Sequence, residues 1–461
     1  MSFGPPPAES GPSAGGSGPS TGGFGPVAPG PHAPFASSTP PGPSPSSGPP
    51  APSAPPPTAP WVAPTEVESA LLDAKQRGDW GAYFDTLARN HLYFEIERPA
   101  ADATPSRTYA VFGRDPRVPG GRAWAVYTDG MLPAPEEHRV FDRAALRFFA
   151  RVWQPTDPSM IVVNPGSPCE AFLPTAPPHS AAWAQASERL GPPRPGPALR
   201  ALRVGGPLYG SVAHGLACGA LLCVNNGSLW NAMAWHGTGY TGERTRLREW
   251  WGITTREEWR GRLDELLDCR GSSSVWSFAL ALRQGIARDF GGLVDVGYWK
   301  QTAEKVLRAK AGGSLTLGPD GVTRNDPLPE VETEAHVEGV RRLIGRITRY
   351  EARMRADGIL DENRYVTSVE AWDLGRASKM ARWGLGARFG TLKEAEAAVV
   401  RAGRAAAVEY RSWRDFSAGY ILGRCLHFDD EEFGDWYTEM VAAHRILMSE
   451  PGSPWLNIPF R

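Results

Sequence analysis

Hydrophobic periodicity is absent from the first sixty residues of this chain and sets in near Thr65. Thr65-Glu66-Val67-Glu68 reads as a capping box, in which the first hydroxyl and the fourth carboxylate each take a backbone N–H that a helix start leaves unpaired. It opens a helix with Val67, Leu71 and Leu72 on the apolar face. A short helix over residues 80–88 follows. Leu92-Tyr93-Phe94-Glu95-Ile96 then alternates as a half-buried strand does, and residues 108–112 and 123–127 are further strand candidates. The spacing of Leu146, Phe149 and Val152 predicts a helix over 141–152. Met160-Ile161-Val162-Val163 is a short apolar strand ending at the turn Asn164-Pro165-Gly166-Ser167-Pro168. This order of strands and helices implies a compact α+β or α/β module.

A proline cluster at residues 191–197 marks a linker, and beyond it the period becomes helical almost throughout. The apolar run 208–224 contains His214 and several glycines and stops at Asn225-Asn226; it is short for a membrane span and reads as a buried helix. Val337, Val340, Ile344, Ile347, Glu351 and Met354 form a largely apolar stripe on one long helix. Thr391-Leu392-Lys393-Glu394 is a second capping box, and Ser412-Trp413-Arg414-Asp415 a looser helix start. Residues 313–329, rich in glycine, proline and aspartate, read as a loop. The expected fold class is therefore α+β. A disordered tail (1–64) precedes a small mixed α/β domain (65–175), a proline-rich linker (176–207) and a mainly α-helical domain (208–461).

Composition sharpens the two ends of this layout. Residues 1–60 hold 20 of the 45 prolines, 11 glycines and a single charged side chain, Glu9. A segment with so little aliphatic surface cannot offset its chain entropy, which predicts an extended, partly polyproline-II tail. The remaining residues carry 49 acidic against 49 basic side chains, with no basic excess to suggest nucleic acid. Five scattered cysteines, Cys169, Cys218, Cys223, Cys269 and Cys425, argue against a disulfide framework and for a reducing compartment. The N-terminus lacks the pattern of a secretory signal, so the expected location is the cytoplasm.

Two resemblances follow from local motifs. Residues ~66–175 resemble the N-terminal domain of the SseB family, named after a type III secretion protein and widespread in bacteria, including actinomycetes. The resemblance rests on Val126-Tyr127-Thr128-Asp129 and on Met160–Pro168 followed by Glu170-Ala171-Phe172-Leu173-Pro174. Residues ~245–461 are similar to the bacterial domain of unknown function 1266. The matching blocks are Trp251-Gly252-Ile253 with Trp259-Arg260 and Leu263, Ala371-Trp372-Asp373-Leu374-Gly375-Arg376, Ala381-Arg382-Trp383-Gly384, Ser412-Trp413-Arg414-Asp415-Phe416, Gly419-Tyr420-Ile421-Leu422-Gly423-Arg424 and Ser453-Pro454-Trp455. Residues ~297–335 look inserted against that pattern. Neither resemblance implies an activity.

Candidate chemistry is sparse. Gly237-Thr238-Gly239-Tyr240-Thr241-Gly242 fits the dinucleotide fingerprint GxGxxG, but no clear strand precedes it, and a flexible connecting turn is the expected reading. His427-Phe428-Asp429-Asp430-Glu431-Glu432 gathers five ligand-type side chains on adjacent positions that rarely converge; Asp429 or Asp430 is expected to cap the final helix. The histidines show no zinc spacing, Cys218 and Cys223 lack a second pair, and no GxSxG elbow is present. These patterns leave the catalytic residues, if the chain has any, unidentified, and no cofactor or metal is expected from them. The most informative set is Asp373, Arg376 and Arg382 on one predicted helix, with Arg424 and Trp413 on another. Arginine forks beside tryptophan suit an anionic ligand, but the favoured reading is a buried network fixing helix register.

These readings point to a non-catalytic binding or adaptor protein with protein partners, no nucleic acid and no membrane span. A link to a secretion or inter-bacterial conflict system follows only from the SseB resemblance. Two alternatives stand beside it. One is an effector-type enzyme or ligand-binding protein using the Asp/Arg/Trp set on a phosphorylated or nucleotide substrate. The other is a structural subunit of a larger assembly.

Overall fold

In the computed structural model, Thr65 accepts the Val67 N–H (3.1 Å) while Glu68 accepts the Thr65 N–H (2.9 Å), the reciprocal pair that starts the helix Glu66–Gln76. The structure describes residues 60–461 apart from 104–105, 135, 137, 152, 154–155, 194–195, 234–236, 319–320 and 326. The expected disordered tail lies, up to residue 59, outside the described residues. A second helix, Trp80–Arg89, is capped by Asp79 and leads into a mixed sheet.

The sheet strands are β1 (His91–Ile96), β2 (Gly113–Arg114), β3 (Arg122–Tyr127), β4 (Val140–Ala145), β5 (Met160–Val163) and β6 (Ala171–Pro174). Their order is β4-β1-β3-β5-β6, with β2 beside β3. Only β3 and β5 run parallel, with Trp124 opposite Ile161 and Val126 opposite Val163. On one face Phe94, Trp124 and Phe149 meet edge to face, with ring centroids 5.1 to 5.8 Å apart.

Four sequence expectations change here. The helix expected over 141–152 is half strand: Val140–Ala145 pairs with β1 along its whole length, and only Leu146–Arg151 is helical. Phe141 is buried against Tyr93 in the sheet, a contact that outweighs the helical spacing of its successors. The candidate strand 108–112 makes one bridge, Ala110 to Ile96, and ladder pairing begins at Gly113. Within the expected linker 176–207, Pro177–Leu190 is a helix burying Trp183, Ala186 and Ser187. Its prolines occupy the first turn, where a missing N–H costs nothing. The expected loop 313–329 contains a hairpin, Ser314–Gly318 paired with Gly321–Asn325.

The apolar run 208–224 is buried, as two helices, Gly210–Cys218 and Ala220–Asn225, broken at Gly219. Among the described residues no helix is long and apolar enough to cross a membrane. Around this pair gather the helices Tyr240–Trp251, Arg256–Leu267, Ser274–Phe290, Glu330–Ala356, Leu392–Glu409, Trp413–Phe428 and Asp435–Ser449. At their centre lies Glu370–Gly386, in which every residue after Glu370 is buried. Close crossings depend on glycine. A Cβ on Gly215 would lie 2.0 Å from the Val399 carbonyl oxygen, and one on Gly384 equally near the Trp259 indole nitrogen. The sheet and the helices together form one compact unit, residues 62–461.

The stripe on Glu330–Ala356 carries Glu351 into the core, where Arg283 meets it with two bonds of 2.8 and 2.7 Å. Arg283 also donates to the Val366 carbonyl (2.7 Å) and lies between the rings of Trp299 and Tyr365. Removing one partner strands the other charge in a dry site. Glu351→Ala should therefore cost about 3–5 kcal/mol. Replacing both by leucine-sized side chains should recover most of that, read from urea midpoints.

Buried His444 shares a 2.8 Å hydrogen bond with the Ser417 hydroxyl, and burial lowers its pKa to about 4, with Arg414 and Arg445 adding to the shift. An unfolded histidine takes its proton near pH 6.5, so between 6.5 and 4 the unfolded state binds more protons and stability falls as pH falls. His444→Gln should flatten the acid side of the stability curve, by up to roughly 3 kcal/mol at pH 4. An unchanged slope in denaturant titrations across that range would count against this account.

Candidate functional site: a basic cavity beside the central helix

The five residues singled out in the sequence lie in four separate places. Asp373 and Arg376 form an ion pair, and the Arg376 guanidinium lies 3.9 Å from the Trp372 ring centre. Arg382 donates to Cys223 Sγ (3.0 Å) and to the Leu229 carbonyl (2.6 Å). Arg424 donates to the Trp436 carbonyl (3.1 Å) and Glu439 (3.2 Å) and covers the Trp436 ring. Trp413 stacks on Trp455 and donates to the Ile458 carbonyl (2.9 Å). All five are buried. Arg376 bonds within its own helix, Arg382 and Arg424 grip neighbouring helices and turns, and none of the five lines the cavity described below.

Asp373, Arg376, Lys379 and Arg382 recur every three residues on the central helix. An α-helix turns once in 3.6 residues, so a three-residue row drifts round the axis by about 60° at each step. Each charge consequently faces a different neighbour. The drift carries Lys379, which the sequence reading passed over, to the place where the helix meets the sheet. Lys379 is only 1 % exposed, donates to Ser228 Oγ (2.7 Å) and Cys223 Sγ (3.4 Å), and lies on the wall of a cavity of about 200 Å³.

The cavity is walled by Arg89, Asn90 and His91 at the entry to β1, by Arg143 of β4, by Arg200, and by Ser228, Thr238 and Arg246. Its charges are unbalanced. Arg200 is paired with Asp129 (2.8 Å) and Arg246 with Glu243 (3.0 Å). Arg89 and Arg143 have no carboxylate partner among the described residues, and Lys379 adds a further cation. His91 is held neutral, its pKa lowered to about 4 by burial first and then by Arg143, with Arg200 adding to this and Asp129 opposing. Beside the cavity a shallower groove shares His91, Arg143 and Thr238 with it and adds Arg147 and Phe148.

At Cys223 burial pushes the thiol pKa up, yet Lys379 and Arg382 outweigh burial and the net shift is downward. At Lys379 burial dominates, and despite Cys223 the pKa falls to about 8.

The GxGxxG motif forms a joint between sheet and helices. Gly239, at φ 84°, bridges to Asp142 of β4, and a Cβ there would lie 2.9 Å from the Asp142 Cα. Asp142 accepts the Thr241 N–H (2.8 Å) and hydroxyl (2.6 Å), while Glu243 accepts the Thr238 N–H (2.7 Å). Protein carboxylates thus hold the N–H groups that a pyrophosphate would need. The expected flexible turn is pinned at both ends.

The acidic run after His427 also disperses. Asp429 is buried and accepts the Tyr350 hydroxyl and the Phe433 and Gly434 N–H groups, while Glu431 pairs with Arg349. Asp429 therefore holds the loop before the helix Asp435–Ser449, whose N-cap is Gly434, and does not cap its first turn as expected. Among the described residues no cluster of metal-binding side chains occurs.

Together these features describe an α+β protein whose central helix carries buried charge and whose sheet completes a basic cavity over one of those charges. Residues 246–460 match the family model described as "Protein of unknown function (DUF1266)", in agreement with the resemblance of residues ~245–461. No match covers residues ~66–175, so the SseB resemblance has no counterpart there. No curated protein and no solved structure matches the chain.

Asp373 and Lys379 should respond differently to replacement. Asp373→Ala leaves Arg376 buried without its counter-charge and should cost about 3–5 kcal/mol in urea unfolding. Lys379→Met keeps the volume and removes a charge whose burial already disfavours it, so it should change stability by less than half as much.

Proposed function

We propose that this protein binds a small anionic ligand, a phosphate or a compact carboxylate, in the cavity between the sheet and the central helix. The observation that carries this reading is Arg143. It is a half-buried guanidinium on the cavity wall with no carboxylate partner among the described residues, facing a neutral histidine and near a buried lysine. A planar guanidinium with free donors in a partly dry site gains most from a two-oxygen acceptor. The volume suits a ligand of a few heavy atoms, since one water occupies about 30 Å³ of liquid.

This reading keeps the expectation of function by binding, takes the phosphorylated or anionic ligand from the alternative reading, and moves the site from the Asp373/Arg376/Arg382/Arg424 set to Lys379 and the cavity beside it. The secretion or conflict setting rested on the SseB resemblance alone, and neither it nor the adaptor role gains support from the cavity. A cytoplasmic setting is supported by the five cysteines, all unpaired and four of them buried.

The full chain should be melted with inorganic phosphate, pyrophosphate and succinate at low ionic strength. One of these should raise the unfolding midpoint, with stabilisation approaching about 2.7 kcal/mol at a hundredfold excess over Kd. Arg143→Gln should weaken binding by about tenfold or more, since one charge-assisted bond is worth about 1.5–3 kcal/mol. Arg349→Gln, a surface change far in sequence from the cavity wall, should leave it intact.

With sulfate, whose charge stays constant over this range, binding should also tighten as pH falls from 6.5 toward 4. An anion beside His91 raises that pKa against the opposing Arg143 and Arg200, on the same side as Asp129, so the complex takes up a proton. No midpoint shift with any of the three anions, or a shift equal in Arg143→Gln, would sink the reading.

A further inference from the structure

Ser228 sits where a helix end fixes it. The helix Ala220–Asn225 closes with the Gly227 N–H on the Val224 carbonyl (3.1 Å) and the Ser228 N–H on the Cys223 carbonyl (2.9 Å). This is the paired C-terminal cap that a left-handed residue makes, and Gly227 supplies it at φ 59°. Arg200 holds the turn from outside, donating to the Gly227 carbonyl (3.0 Å). The turn places the Ser228 hydroxyl on the cavity wall and Cys223 behind it, fully buried. Lys379 spans the two, and Arg382 lies closer to the sulfur, at 3.0 Å, than Lys379 does at 3.4 Å. The sulfur therefore keeps a cationic neighbour, Arg382, when Lys379 is neutral.

We propose that Ser228 and Lys379 form a nucleophile and general-base pair that hydrolyses a carboxylic ester carrying an anionic group. The proposal rests on the anion-binding reading, because Arg143 and Arg89 would hold the charged end of the substrate. A lysine that is buried and hydrogen-bonded to a serine hydroxyl serves as its base once neutral. With its pKa near 8, Lys379 is neutral in about a tenth of molecules at pH 7.

In the first step Ser228 Oγ bonds to the ester carbonyl carbon and its proton passes to Lys379 Nζ. The carbon–oxygen bond to the alcohol then breaks, and that oxygen takes the proton from Lys379. A water molecule repeats the sequence on the Ser228 ester, giving its proton to Lys379. The acid is released and the Ser228 hydroxyl is restored. Cys223 is behind the wall and has no part in bond making; Arg382 and Cys223 act as positioning residues for the lysine.

The test uses the full chain and mono-4-nitrophenyl succinate, whose succinyl end matches the cavity and whose nitrophenyl leaving group would extend into the adjoining groove. Expected are a burst of nitrophenolate close to one equivalent of protein and a gain of one succinyl group in intact mass, mapped to the peptide containing Ser228. The release rate should rise with pH and level off above about 8. Ser228→Ala and Lys379→Met should each lower release by about 10²-fold or more, while keeping cooperative unfolding.

Release that survives in Ser228→Ala, or a succinyl group mapped to Lys379 or Cys223, overturns the assignment. Wild-type protein that shows the midpoint shift but neither burst nor adduct overturns the nucleophile and leaves anion binding standing. Absence of shift, burst and adduct together overturns both.

Discussion

A helix enclosed on every side has no water with which to satisfy a charge, and that constraint organises the helical part of this protein. Glu370–Gly386 buries Asp373, Arg376, Lys379 and Arg382 among apolar neighbours. An isolated ion in such a place would cost several kcal/mol, so each must meet a partner with good geometry. The partners come from different directions: Asp373 and Arg376 pair within the helix beside Trp372, leaving one Asp373 carboxylate oxygen without a hydrogen bond among the described residues, whereas Arg382 reaches Cys223 of Ala220–Asn225 and the Leu229 carbonyl. These contacts fix the rotation of the central helix against its surroundings. A half-turn error would leave two cations facing apolar side chains.

Lys379 is the member of that row whose partners do not neutralise it fully. Its hydrogen bonds go to a hydroxyl and to a sulfur that Arg382 already holds. The helical bundle alone would leave it facing outward, and the sheet covers that face with β1 and β4. The covering brings Arg89 and Arg143 with no carboxylate to match them. Two positively biased surfaces held together need something besides mutual charge. Asp142 supplies it by taking the N–H and hydroxyl of Thr241 at the start of Tyr240–Trp251, and Tyr93 donates to the Gly237 carbonyl (2.8 Å). Arg388 donates to the Arg139 carbonyl (2.7 Å) and strengthens the same junction. The cavity is thus the gap left between an attraction at the joint and a repulsion beside it.

Much of this fold is legible locally. The boxes at Thr65 and Thr391 and the Ser412 cap are present, because a cap involves residues three apart and needs no distant partner. Glu351 shows where local reading stops. Its place on a buried stripe signals that a partner is required, but nothing near it in sequence identifies Arg283, 68 residues away. The same limit governs the GxGxxG motif, whose meaning depends on Asp142, 99 residues before Thr241. Segment 141–152 failed for a different reason: a spacing that suits a helix over Leu146–Arg151 was extended across residues that pair with β1. The row at 373, 376 and 382 was visible, and the missing position, 379, completes its three-residue step. A lysine in step with that charged row was therefore a readable signal. The cavity was not readable, since Arg89, Arg143, Ser228 and Lys379 are scattered over nearly three hundred residues.

The division of the cavity between two stretches of chain bears on what the family match can mean. Lys379 and Arg246 fall within residues 246–460, whereas Arg89, His91, Arg143, Arg200 and Ser228 precede them. The matched stretch supplies the buried base and its helix. The preceding stretch supplies the hydroxyl beside that base and the cations that would select an anion. A chain sharing only the matched stretch would present Lys379 without Ser228 and without Arg143, so its chemistry could not be inferred from this one. The functional unit is the compact body from residue 62 onward, because the groups that give Lys379 a purpose belong to the part the family match leaves out.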